Sequence, residues 1–155
     1  MKRRLALSAV FAVVCGCGGP PPGGEQHTIR LAVMPPDESR RFPLADQVSA
    51  TLVDDHILGK DFLPGGNVAE YRRKGKSYRQ FLMHVKTNED AALLLFDFKG
   101  HLREPKYLPH MGGYFGMDGA TPVYLFQKGP FLAGFAGLPE KEADPLARQF
   151  AARLN

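Results

Sequence analysis

The chain has 155 residues, with 20 Lys and Arg against 16 Asp and Glu, two cysteines and no tryptophan. Lys2, Arg3 and Arg4 account for most of the excess charge, and downstream of Gly16 17 basic residues face 16 acidic ones, a net of +1. A near-neutral body excludes the basic footprint of a nucleic-acid-binding domain, and with both cysteines at positions 15 and 17 it holds no disulfide, CxxC centre or catalytic thiol.

Lys2 to Arg4 form a cationic head, and Leu5 to Val14 is an apolar run of ten residues broken only by Ser8. That is the layout of a signal peptide, and the run is about half the length that spans a bilayer as a helix. Val14-Cys15-Gly16-Cys17 then resembles the lipobox of bacterial lipoproteins, which implies a lipid on the sulfur of Cys17 and cleavage just before it. Cys15 stands where Ala or Ser is commoner, so a cut before Cys15 stays open as an alternative. A plain secretory signal cut near Gly18 fits less well, because Cys15-Gly16-Cys17 is a poor small-x-small site. The resemblance implies a membrane partner through Cys17 and a place in the cell envelope, on the outer side of the inner membrane or in the outer membrane. Gly18, rather than Asp, after the anchor favours the outer membrane by the enterobacterial sorting rule.

Gly18 to Gly24 is built only of Gly and Pro and reads as a tether; with Glu25 to His27 it reaches about 30 Å at full extension. The expected organisation is a signal peptide over 1–16, the lipidated Cys and tether over 17–27, and one domain over 28–155.

Thr28 to Met34 alternates apolar and polar residues and predicts a half-buried strand ended by Pro35-Pro36. Pro43 followed by Leu44, Val48 and Leu52 at four-residue spacing predicts a helix over 43–57, with Asp54-Asp55-His56 at its C-terminal end. Gly65-Gly66 opens a stretch that becomes strongly cationic at Arg72, and Tyr78 to Thr87 predicts a strand with Phe81, Met83 and Val85 opposite Gln80, His84 and Lys86. Ala91 to Phe98 has no deciding period; a helix capped from Asn88-Glu89-Asp90 is expected, a hairpin being the alternative.

Tyr107 to Ala120, with Gly112, Gly113, Gly116 and Gly119, reads as a loop. Thr121 to Phe126 and Phe131 to Ala136 predict a hairpin, and Asp144-Pro145 predicts the cap and start of a last helix striped by Leu146, Phe150 and Leu154. The fold expected is α+β: a single small domain, mainly antiparallel sheet, with an N-terminal-half helix and a C-terminal helix packed on it.

Two resemblances bear on the domain. Thr121-Pro122 before a strand, hairpin and final helix looks like the last third of a thioredoxin fold, but the redox cysteines are missing, and a generic hairpin-helix unit accounts for the same residues. The order Gly65-Gly66 to Tyr71, strand to Thr87, Asp90-Ala91-Ala92 to Phe96, Gly-rich loop, Tyr124-Leu125-Phe126 hairpin and Leu-Ala-Arg helix is similar to an uncharacterised family of exported bacterial proteins. That likeness implies a fold and supplies no site.

Motifs for chemistry are few. The five histidines show no metal-ligand spacing; Ser39, Ser49 and Ser77 lie outside any GxSxG, and no phosphate-binding glycine loop occurs. No catalytic residue, metal or cofactor is expected. Arg72, Arg73, Lys74, Lys76 and Arg79 place five cations within eight residues. They read as a solvated hairpin edge or, functionally, as a contact for anionic lipid or glycan. The function expected is a non-enzymatic binding or accessory module with an envelope protein or anionic glycan or lipid as partner. The alternative is a hydrolase or small-ligand sensor whose site, around His84, the 107–120 loop or Asp54-His56, assembles only on folding.

Overall fold

Two antiparallel meanders share one sheet in the computed structural model, which describes residues 34–155. The first comprises β1 (Gln47–Asp55), β2 (Pro64–Arg73) and β3 (Lys76–His84); the chain then crosses through α1 (Asn88–Gly100). The second comprises β4 (Arg103–Leu108), β5 (Gly113–Asp118), β6 (Thr121–Lys128) and β7 (Phe131–Ala136), followed by α2 (Glu140–Ala151). Strand β7 docks beside β3, so the order is β1-β2-β3-β7-β6-β5-β4 and every pairing is antiparallel. The domain is α+β, as the composition of elements predicts.

The helices cover opposite faces. Tyr124 and Phe126 of β6 join Phe135, Leu82 and the α2 residues Ala143, Ala147 and Phe150 in one cluster. Val123 and Leu125, the alternating neighbours, join Phe81, Met83, Leu132 and the α1 residues Leu95 and Phe98 in the other. A strand covered on both sides reads as a continuous apolar run, which is why Val123-Tyr124-Leu125-Phe126 shows no polar alternation. Each large side chain fully buried here contributes about 1.5–3 kcal/mol. Both clusters are enclosed within the described residues, which is the organisation of an independently folding domain.

Several elements match their expected places. The strand expected over 78–87 is β3, which ends at His84; the hairpin is β6–β7; and α1 takes the helical option over 88–100, capped not from Asn88-Glu89-Asp90 but by Thr87, whose Oγ1 accepts from the Asp90 amide at 3.0 Å. The β2–β3 turn is Lys74-Gly75 with φ of 50° and 77°, the left-handed pair that a two-residue hairpin requires.

The helix expected over 43–57 is instead an approach segment and β1. Its supposed apolar stripe is not buried, since Leu44 and Val48 are 84% and 60% exposed. What decides the conformation is pairing with β2: Gly65 lies so close to β1 that a Cβ there would sit 2.1 Å from the Asp54 carbonyl oxygen. Asp54 and Asp55 therefore end a strand, and His56, with φ of 54°, leads into the short 3-10 turn Ile57–Gly59.

The 107–120 loop is the end of β4 and all of β5. Its glycines mark close approach: a Cβ on Gly113 would meet the Leu125 carbonyl oxygen at 2.1 Å. The last helix starts at Glu140 with Pro139 at its cap, so Asp144 is no cap and Pro145 lies in the second turn. The signal peptide, Cys17, the tether and the expected 28–34 strand, apart from exposed Met34, lie outside the described residues.

Candidate functional site

The β2–β3 hairpin is longer than its neighbours. Strand β1 pairs only as far as Tyr71 and β7 only as far as Arg79, so residues 72–78 overhang the sheet. Because side chains alternate along a strand, the overhang divides its charges. Arg73 and Lys76 share the α2 face with Tyr71 and Tyr78, whereas Arg72 and Arg79 take the opposite face and line a separate depression with Glu70 and Ser77. Lys74 sits in the turn. The five-cation cluster is thus two groups, Arg72 with Arg79 on one face and Arg73, Lys74 and Lys76 on the other.

Those three rim a groove of about 350 Å³ between the hairpin tip and α2, floored by Tyr78, Leu138, Pro145 and Leu146. Lys76 Nζ reaches Glu142 Oε1 across it at 3.0 Å, and Arg73 Nε stands 3.8 Å from Asp46 Oδ2. Both pairs are exposed, so each contributes under about 1 kcal/mol and can open for a ligand. Tyr71 and Tyr78 stack at 5.1 Å behind the rim, and burial pushes both phenols above their ordinary range, which keeps them neutral donors.

His84, a candidate from the sequence, belongs to a different constellation. Its Nδ1 lies 2.9 Å from Oε1 of Glu38, a buried carboxylate whose Oε2 accepts from Arg41 Nε at 2.6 Å. Burial pushes the Glu38 carboxyl up, but the Arg41 hydrogen bond and charge, with His84, outweigh it and hold the group below its ordinary value. The Glu38 amide donates to Asn67 Oδ1, Asn67 Nδ2 donates to Asp37, and Arg41 donates to the Arg153 carbonyl at 2.7 Å. This network clamps residues 37–41 onto the sheet, with Phe42 stacked on Phe150 below.

Measured against known proteins, the chain matches no family model, no curated protein and no solved structure. Its own geometry carries the functional argument.

The other histidines among the described residues disperse. His110 bonds Asp144, which also accepts from Tyr124 Oη at 2.7 Å and Arg148 Nε at 2.9 Å; His56 stands exposed beside Asp55, and His101 stacks on Phe62 at 3.8 Å. Among the described residues no three His, Cys, Asp or Glu side chains converge as a metal site. Asp54-His56, His84 and the 107–120 segment therefore each stand with separate partners. Glu38 and Arg41 were invisible to sequence reasoning, since Glu38 meets His84 across 46 positions. The exposed Leu93 and Phe96 leave one face of α1 apolar and outside both cores.

Proposed function

We propose that the protein is a binding module of the cell envelope, anchored by lipid on Cys17 and carried on the Gly/Pro tether, that takes up anionic amphiphilic material with its overhanging hairpin. The observation that carries this reading is the convergence of Arg73, Lys74 and Lys76 over an apolar groove. Cations over an apolar floor fit a ligand with a negative end and a greasy body. Each cation contributes about 1 kcal/mol against an anionic surface, so three of them give a measurable and salt-sensitive association.

The test uses residues 32–155 and vesicles of phosphatidylcholine with and without phosphatidylglycerol. Association with the anionic vesicles is expected, and it should be lost in Arg73→Glu/Lys74→Glu/Lys76→Glu. Equal association of wild type and triple variant sinks the reading.

The Glu38–His84 pair supports a second reading, an envelope hydrolase. A carboxylate on Nδ1 fixes the ring and leaves Nε2 as the atom that can take a proton. Unchanged turnover of ester and amide substrates in His84→Gln would dispose of it.

A further inference from the structure

A second, smaller recess of about 200 Å³ opens beside the groove and shares Arg73, Tyr78 and Leu146 with it. We propose that this recess holds a carboxylate, the head of an amphiphile whose apolar body lies along the groove; the inference rests on the binding reading above and assigns its ligand class.

Gln80 is the reason. It lines the recess, is 2% exposed, and its Nε2 is the buried side-chain atom without a hydrogen-bond partner among the described residues. Buried amides are almost always paired, so an unmatched one calls for an acceptor. On β3 Gln80 stands between Tyr78 and Leu82 on the α2 face, opposite Phe135 of β7, where an apolar residue would pack without that cost. A position that breaks the local rule with no structural return is where function is expected. The terminal torsion of Gln80 is broad and two-fold, so a bound acceptor in the recess would draw the NH₂ group round to it.

The charge around Gln80 selects the head group. Arg73 and Arg153 line the recess with a single acid, Asp46, which stands 3.8 Å from Arg73 Nε. Two cations and one anion leave one positive charge, which suits a monoanion. A carboxylate accepts from the Gln80 amide and from an Arg guanidinium at once, through its two oxygens. Tyr78, kept protonated by burial, adds a neutral wall between head and body. The groove beyond it offers Leu138 and Pro145, to which an alkyl chain adds apolar contact.

Octanoate is the probe, titrated into residues 32–155 by calorimetry and by following the Gln80 side-chain amide in ¹H–¹⁵N spectra. Saturable binding that shifts the Gln80 NH₂ resonances is expected, with at least tenfold weaker binding of octanol and of the Gln80→Leu variant, whose thermal midpoint should not fall. Gln80→Glu keeps the shape and places a negative charge against the head, so it should also lose tenfold or more. Undiminished binding by Gln80→Leu, equal binding of octanol, or tighter binding of octyl phosphate overturns the carboxylate site. If octanoate leaves Gln80 unmoved while anionic vesicles still bind through Arg73, Lys74 and Lys76, this inference fails and the binding reading stands. If the vesicles do not bind either, both fail together.

Discussion

Arg72 and Arg73 are adjacent in the chain and project from opposite faces of the same strand. Arg73 joins Lys74 and Lys76 above the groove at α2, while Arg72 joins Arg79 in the depression behind it. A run of charge in sequence is therefore not one patch in space.

The division predicts an asymmetric response to charge reversal. Arg72→Glu/Arg79→Glu should retain most of the association of residues 32–155 with phosphatidylglycerol vesicles, measured by co-sedimentation. Arg73→Glu/Lys74→Glu should lose it. Raising salt from 0.05 to about 0.5 M should weaken wild-type binding steadily, because exposed charges are screened over a few ångströms at such ionic strength. Equal losses in both variants would mean a diffuse charge effect and no groove.

The aromatic core under α2 predicts where stability resides. Phe150 stacks on Phe42 at 5.6 Å and meets Phe135 edge-on at 6.4 Å. Phe150→Ala should cost about 3–5 kcal/mol, of the same order as the whole stability of many domains, and urea melts should show a largely unfolded population. Leu93→Ala, on the exposed side of α1, should change the midpoint little.

Stability should also fall at both ends of the pH scale. Glu38 and Asp144 have folded values below their ordinary 4.5 and 3.8, so their contribution is complete above those values and is lost as pH drops through the lower folded ones. In Asp144 burial opposes the shift, and the bonds from His110, Tyr124 and Arg148 outweigh it. Tyr71, Tyr78 and Tyr124 are raised above 10 mainly by burial, so the unfolded chain releases their protons first and stability falls as pH rises past 10. Glu38→Gln should flatten the acid limb of a urea-midpoint profile and leave the alkaline limb in place. An unchanged acid limb would remove Glu38 from the account.

Where local chemistry and tertiary structure agree, the sequence is easy to read. Asn88-Glu89-Asp90 points to the start of α1, though Thr87, read as the end of a strand, proves to be its cap, and the β6–β7 hairpin shows itself as two apolar runs around a Gly-Pro turn. Strand β1 misleads because Leu44, Val48 and Leu52 happen to fall at helical spacing, while the force that extends the segment is pairing with β2. Strand β4 leaves no trace, since Arg103 to Tyr107 are all exposed on a charged sheet edge. Gln80 and His84 were legible as the polar face of a half-buried strand. That face is covered by α2 and by the 37–42 segment, neither of which is near β3 in sequence, so the buried Gln80 amide and the Glu38–His84 pair appear only on folding.

The anchor is the remaining test, and it rests on Val14-Cys15-Gly16-Cys17 alone. Acyl chains contribute about 0.8 kcal/mol of membrane affinity for each buried methylene, so two or three of them outweigh the roughly 1 kcal/mol per cation available to the hairpin. Lipid on Cys17 would hold the domain at the membrane, and the hairpin would act on what lies within reach of the tether. In bacteria expressing the full chain, Cys17→Ser should abolish labelling by an alkyne analogue of palmitate and release the protein from the membrane fraction, whereas Cys15→Ser should label normally. Labelling that survives Cys17→Ser and disappears in Cys15→Ser would move the anchor by two residues; labelling absent from the wild type would leave the hairpin as the proposed membrane contact.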